Sequence, residues 1–313
     1  MQLIFQLSKQ NLDLSKAEAL AMFKGKSKLI DNLLILDSKE KYFERLAYTK
    51  AVYQFLFACK KSELKSKIKN FNWNKYYKIS FCVRVPEMGN DFEREIAGLV
   101  WHKLRNPKVQ LRNSKTSFYF FIAKRFVVCG LLIKELTERF EDRKVNLMPG
   151  SFHAAMHPRL ARCMVNLTGI KKGVIVDPFC GAGGILVEAG LIGLNVIGSD
   201  IDAGLLKKAE KNLMHFKIHY KLQKADAAKL SKKISYLVAD FPYAISTKGR
   251  DLEGLYSDFL INLKKILGKR AVLCFPSFIN HQKLIKKSKL KLKQEFVYYL
   301  HKSLSRTVCV IEP

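Results

Sequence analysis

The segment Val174-Ile175-Val176-Asp177-Pro178-Phe179-Cys180-Gly181-Ala182-Gly183-Gly184 constrains this chain more than any other. Its apolar β-branched start reads as a buried strand, Asp177 marks the carboxyl end, and three closely spaced glycines bend the backbone into a helix. A ligand can approach such a backbone closely. From 151 onward helical stretches (156–168, 183–192, 203–216, 252–266) alternate with short buried strands (173–177, 195–199, 219–223, 235–239, 270–275). That alternation predicts a mostly parallel sheet with helices on both faces. Two more strands, Gln294 to Leu300 and Thr307 to Ile311, are linked by Lys302-Ser303-Leu304-Ser305-Arg306. The link is too short for a helical crossover, so the pair is predicted to be antiparallel.

The first half has a different rhythm. It reads as a strand (Leu3 to Leu7), a helix (Ser15 to Phe23), a strand (Asn32 to Leu36) and an amphipathic helix (Ala47 to Cys59). A second α+β stretch follows: a strand Tyr77 to Val85, a helix Phe92 to Leu104, and strands near Lys108 to Leu111, Ser117 to Ala123 and Phe126 to Leu132. The charged run Glu138 to Lys144 and the turn Met148-Pro149-Gly150 place a domain boundary near residue 145. At 313 residues, 48% of them hydrophobic, the chain can bury more than one core.

Composition points to a partner. The formal charge is +29, with 29 basic against 15 acidic residues in 1–145 and 27 against 12 in 146–313. A polyanion gains counterion-release energy from such a surface, so nucleic acid is the expected partner. Lysine enrichment from the host's base composition or a hot habitat is the plainer alternative. The apolar run Gly181 to Val196 is broken by Glu188 and glycines, and no basic segment precedes an apolar core at the start, so neither a membrane span nor a signal peptide is expected. Seven scattered cysteines without a C-x-x-C pair predict no disulfide framework, no metal site and a reducing, cytoplasmic setting.

Two ligands compete for the glycine turn. A dinucleotide needs G-x-G-x-x-G, but Leu186 occupies the third glycine's place. S-adenosyl-L-methionine fits better: it carries no pyrophosphate, and its amino group and sulfonium favour a carboxylate such as Asp177. Asp200, 17 residues after Gly183 at the end of the next strand, is placed to accept both ribose hydroxyls. Asp202 competes for that role but also suits a helix N-cap, and Asp226 could accept from the adenine amine or simply cap a helix.

Asp240-Phe241-Pro242-Tyr243 follows the strand Tyr236 to Ala239, at the same carboxyl edge as the glycine turn. A carboxylate there can accept N–H bonds from an exocyclic base amine, localise its lone pair and aim it at an electrophilic methyl. Tyr243 offers a face for a flipped-out base, or is a core tyrosine. The lysines and aromatics Lys65, Lys67, Lys69, Trp73, Lys75, Tyr76 and Lys78 could grip RNA or belong to a core. Lys286, Lys287, Lys289, Lys291 and Lys293 read as a solvated face that could also meet phosphate.

These motifs resemble those of amino-group methyltransferases, whose last motif usually reads D-P-P-Y or N-P-P-Y. More narrowly, His157-Pro158-Arg159-Leu160-Ala161-Arg162 through Asn166-Leu167, the Asp177 to Gly184 turn, and His301 to Arg306 resemble the archaeal tRNA guanine-10 N2-methyltransferases. Ser80 to Val85 and the helix from Phe92 are similar to their THUMP module. The resemblance implies an α/β fold: a Rossmann-like methyltransferase domain over 146–313, with a terminal antiparallel hairpin. It would follow a ferredoxin-like α+β subdomain (1–60) and a THUMP-like RNA-binding domain (61–145). It further implies tRNA as partner and methylation of guanosine 10 at N2, once or twice. Asp240, Pro242 and Tyr243 would be catalytic, and Asp177, Phe179, Gly181, Gly183, Asp200, Ile201, Asp226 and Asp240 would hold the cofactor. Phe241 departs from the family's first proline and Ala244 from its following glycine, which leaves open a catalytically impaired tRNA-binding protein. Ribosomal RNA or DNA as the substrate is the other alternative.

Overall fold

The computed structural model describes residues 1–40, 42–152, 155–243, 251–301 and 304–313, with the backbone alone at 300, 301 and 304. The chain divides into two compact units that interleave in sequence. One comprises Met1–Leu12, Phe23–Glu44 and Thr49–Thr137, and the other Asp13–Met22, Arg45–Tyr48 and Glu138–Pro313.

In chain order the elements up to residue 137 are β1 (Gln2–Leu7), α1 (Leu12–Met22), β2 (Ser27–Ile30), β3 (Leu33–Asp37), β4 (Thr49–Lys60), α2 (Leu64–Asn70), β5 (Phe81–Arg84), α3 (Asn90–Trp101), β6 (Thr116–Ala123) and β7 (Phe126–Glu135). The seven strands form one sheet in the order β2-β3-β1-β4-β7-β6-β5, antiparallel except for β5 beside β6. Phe57, Leu64, Ile68, Trp73, Ile96 and Phe118 share a core under α2 and α3. Trp73 is fully buried and donates from its indole nitrogen to the Ile68 carbonyl at 2.9 Å, which makes it a core residue.

Two expectations fail here. The stretch Ala47 to Cys59 is no helix: Thr49–Lys60 is a central strand paired with β1 and β7. Ala51, Val52 and Tyr53 are all buried, so both faces of the strand are apolar, and such a run mimics helical periodicity. Its β-branched and aromatic content decides for the sheet. Lys108 to Leu111 contributes a single bridge, Val109 to Phe81, rather than a strand.

The second unit continues with α4 (Pro158–Leu167), β8 (Val174–Asp177), α5 (Gly184–Leu191), β9 (Asn195–Asp200), α6 (Ala203–His215), β10 (Tyr220–Lys224), β11 (Ile234–Asp240), α7 (Leu252–Ile266), β12 (Leu267–Pro276), α8 (His281–Lys287), β13 (Lys291–His301) and β14 (Leu304–Glu312). The sheet order is β10-β9-β8-β11-β12-β14-β13. The five strands β8 to β12 run parallel, and β14 and β13 pair antiparallel at the end, as the sequence predicts. Strand order reverses between β8 and β11, so the carboxyl ends of those strands flank the crevice where open α/β sheets take ligands. The lysine run from 286 to 293 covers the last turn of α8, a helix not foreseen, and the start of β13. Its lysines are exposed, in keeping with a solvated face.

Polar side chains tie distant pieces of this unit together. Glu18, fully buried on α1, accepts from the Ala47 and Tyr48 amides at 2.8 and 2.9 Å and from Asn166 of α4 at 2.7 Å. Arg45 donates to the carbonyls of Ile170 and Lys171 at 2.8 and 3.0 Å. Burial pushes the Glu18 carboxyl up, and the three donors pull it back. On the other flank Glu188 of α5 is held by Arg143 at 2.9 Å and Arg162 at 2.8 Å, with the Phe140 ring beneath both guanidinium groups. Asn212 of α6 exchanges hydrogen bonds with Gly150 and donates to the Ala182 carbonyl at 2.9 Å, so it clamps the Met148-Pro149-Gly150 turn to the glycine loop.

A Cβ on Gly150 would lie 2.2 Å from the Lys208 carbonyl oxygen. Gly150→Ala is therefore expected to lower the stability of this unit by about 1 to 3 kcal/mol through overpacking. Denaturant unfolding should read that loss, and a neutral result would contradict the clamp.

Candidate active site at the carboxyl edge of the parallel sheet

The glycine turn is built by a few local bonds. Gly181 and Gly183 have φ of 50° and 82°, in the left-handed region that favours glycine. The Gly183 amide donates to Cys180 at 2.7 Å, and the Gly181 amide donates to Asp200 Oδ2 at 2.8 Å. Apart from its chain neighbours, a Cβ at Gly181 would meet no atom of the described residues within 4 Å, so the turn borders open space among them. Asp177 is buried beside it. Its Oδ1 accepts from the Phe179 amide at 3.1 Å, while Oδ2 has no partner among the described residues. Burial, then the neighbouring Asp200 and Asp240, push the Asp177 carboxyl well above the usual range despite that amide bond.

Asp200 ends β9 and stiffens the turn through Gly181, and its Oδ1 accepts from the Asp202 amide at 3.0 Å. Asp202 caps α6, accepting from the Gly204 and Leu205 amides at 2.7 and 3.2 Å. Asp226 likewise caps a short helical turn, accepting from Ala228 at 3.0 Å. The capping reading is therefore realised for both, though each oxygen retains further lone pairs. Ile201 stands 51% exposed at the strand end, an apolar side chain about half open to solvent.

Asp240 ends β11, one strand from Asp177. Its Oδ2 lies 3.2 Å from Arg306 Nη1, and its Oδ1 has no hydrogen-bond partner among the described residues. Burial pushes its carboxyl up to about 6, with Arg306 and the Cys274 thiol pulling the other way. Tyr243 is half-buried, and the Arg306 guanidinium carbon sits 5.2 Å from its ring centre. The sequence offers Arg306 only as the last residue of a motif, and nothing in its spacing reveals its contact with Asp240.

Phe241 explains how the loop survives without its first proline. The side chain is buried among Phe179, Tyr256, Phe259 and Phe275, with ring centres 4.4 to 5.5 Å away. Its amide donates to Cys274 at 3.1 Å, a bond that proline cannot make. Tyr256 then bonds the Pro242 carbonyl through its hydroxyl. Packing replaces ring constraint in holding Asp240 and Tyr243. Ala244 and the 302–303 link lie outside the described residues.

A glycine turn after the first strand of a parallel sheet, an acidic-aromatic motif after the fourth and a closing antiparallel hairpin define a Rossmann-like methyltransferase. The family model of the RMKL-like methyltransferase domain matches residues 148–306. The tRNA (guanine(10)-N2)-dimethyltransferase of Methanothermobacter thermautotrophicus is 33% identical over 86% of this chain and 84% of its own length. That of Pyrococcus abyssi is 30% identical over 78% of each. Among solved structures, TrmN from Thermus thermophilus aligns over 100% of this chain and 99% of its own with a TM-score of 0.54 and 18% identity, a likeness of fold. The chain belongs to the tRNA (guanine(10)-N2)-dimethyltransferase family.

Phe241→Pro, which restores the usual family residue, is expected to destabilise the unit by about 3 kcal/mol or more, because it empties an aromatic cluster. A thermal melt that shows the variant as stable as the parent would sink this account of the loop.

Proposed function

We propose that this chain methylates the exocyclic N2 amine of guanosine in tRNA, at position 10, adding up to two methyl groups. The observation that carries the reading is the meeting of Asp240, Tyr243 and the glycine turn at one sheet edge, in a chain whose relatives bear that activity in their names. When bound, S-adenosylmethionine supplies an electrophilic methyl on a sulfonium. The site's chemistry fits it: an orphaned buried oxygen on Asp177, open space at Gly181, and three carboxylates that suit a cationic ligand.

In this reading Asp177 receives the ligand's amino group, Gly181 and Gly183 give its backbone room, and Phe179 shapes the pocket wall. Asp200 accepts the ribose hydroxyls, Ile201 faces the adenine and Asp226 accepts the adenine amine. Asp240 Oδ1 accepts an N–H of the guanine amine and concentrates the lone pair on nitrogen. Pro242 fixes the turn and Tyr243 stacks the base, worth about 1 to 3 kcal/mol. Asp240 would take the proton that the amine gives up on accepting the methyl that bound S-adenosylmethionine would supply, and would pass it to water. Residues 61–145, the THUMP-like domain, lie in the first unit as far as Thr137 and grip the tRNA. Among the described residues no helix is long and apolar enough to cross a membrane. All seven cysteines are free, which supports a reducing, cytoplasmic setting.

Unmodified tRNA incubated with labelled cofactor should yield N2-methylated guanosine by nucleoside mass spectrometry. Asp240→Ala should give none while retaining cofactor binding by calorimetry. No product from the parent protein on any tRNA, with product on ribosomal RNA or DNA or nowhere, overturns the substrate assignment. A second outcome follows from Asp177. Its raised affinity for a proton means that a cationic ligand must release one, so cofactor affinity should rise with pH, and the binding heat should depend on the buffer's ionisation heat. Asp240 must be ionised to accept the amine, so kcat/KM for tRNA should fall about tenfold per pH unit below about 6.

A further inference from the structure

We propose that Arg306 is the positioning residue of the methyl-transfer site: it holds Asp240 by one oxygen and backs the Tyr243 ring, leaving the other oxygen and the other ring face to the target base. The inference rests on the methyl-transfer reading above and assigns a role to a residue outside the two motifs that carry it.

The geometry follows from strand register. Arg306 of β14 lies opposite Pro276 of β12 and Tyr298 of β13, while Asp240 lies opposite Cys274, two residues earlier on β12. A long side chain at 306 therefore crosses the end of β12 and reaches the end of β11, where Nη1 meets Asp240 Oδ2 at 3.2 Å. The same guanidinium lies 5.2 Å from the Tyr243 ring centre, within the range of a cation over an aromatic face. Arg306 is only 7% exposed, and its Nε has no hydrogen-bond partner among the described residues. Such a buried pair contributes little net stability, because desolvation offsets most of the attraction. Its effect is to orient. With Oδ2 engaged, the carboxylate plane is fixed and Oδ1, which has no partner among the described residues, points its lone pairs at one place.

Charge works in the same direction. Among the described residues, the groups that face Asp240 are Arg306 from β14, the Cys274 thiol from β12, Asp177 from β8, Tyr243 beyond β11 and Tyr256 from α7. Arg306 is the one cation in that set. Without it, only the Cys274 hydrogen bond would oppose burial, and the carboxyl would hold its proton to higher pH, where it can no longer accept from the amine. A lysine keeps the charge but lacks the flat fork that can meet a carboxylate and a ring together.

The test is the pH dependence of kcat/KM for tRNA in Arg306→Gln and Arg306→Lys, with cofactor affinity measured beside it. In Arg306→Gln the acid limb should move up by about 1 to 3 pH units, the span expected from removing an opposite charge at this distance. Of the residues assigned to the cofactor only Asp240 touches Arg306, so cofactor affinity should change much less than kcat/KM does. Arg306→Lys should keep the limb near that of the parent but lose kcat. A folded Arg306→Gln with an unmoved limb, or an Arg306→Lys with the parent's rate, overturns the proposal. Carboxyl-carbon NMR of Asp240 in the parent and in whichever variant folds reads the same shift without substrate. An inactive parent whose Asp240 still titrates higher after Arg306 is replaced would refute the tRNA reading and leave the positioning pair intact. An unchanged titration would refute the pair itself.

Discussion

The hydrogen bond from the Gly181 amide to Asp200 Oδ2 fixes the distance between two strand ends, and the site is arranged around it. It draws the turn after β8 against the end of β9, which sets where Asp177 stops and where α5 begins. Asn212 holds the same turn from the other side through the Ala182 carbonyl. A left-handed backbone at two glycines would otherwise open readily, since glycine has the most conformational freedom to regain. These two polar contacts convert a permissive segment into a rigid one, and Asp240 on the neighbouring strand then stands at a fixed separation from it.

The carboxylates at this edge are kept at a cost. Asp177 and Asp240 are both pushed toward the protonated form by burial, and an unpaired oxygen on each is destabilising in isolation. Folded chains tolerate such groups where surrounding packing over-determines them. Here the packing is aromatic: Phe179, Phe241, Phe259 and Phe275 form a continuous layer beneath the motif, and Cys274 and Arg306 close it above.

What could be read from the sequence was whatever is local. The alternation from 173 to 276, the glycine turn, the ends of β9 and β11 and the terminal hairpin all have signals within about ten residues. Asp202 and Asp226 as helix caps are local too, and their Asx geometry follows from the residues just after them. The helix expected at Ala47 to Cys59 failed because a strand covered on both faces carries no period-two pattern. The helix α8 escaped because lysines at 283, 286 and 287 hide two buried positions, Leu284 and Ile285. Arg306 meeting Asp240 depends on the register of three strands, and the Phe241 cluster on four separate elements. Neither has a sequence period to betray it.

The buried carboxylate of Glu18 has a consequence for how the chain is made. Its partner Asn166 is 148 residues away, so this helix leaves the ribosome long before the side chain that completes its hydrogen bonding exists. Synthesis at about 5 to 20 residues per second leaves that gap open for several seconds. During that interval β1 and β2 can each pair with β3, while α1 between them in sequence still lacks its partner on α4. The order of synthesis and the order of assembly therefore differ, and the early part of the chain must wait for the late part before its own acid is satisfied.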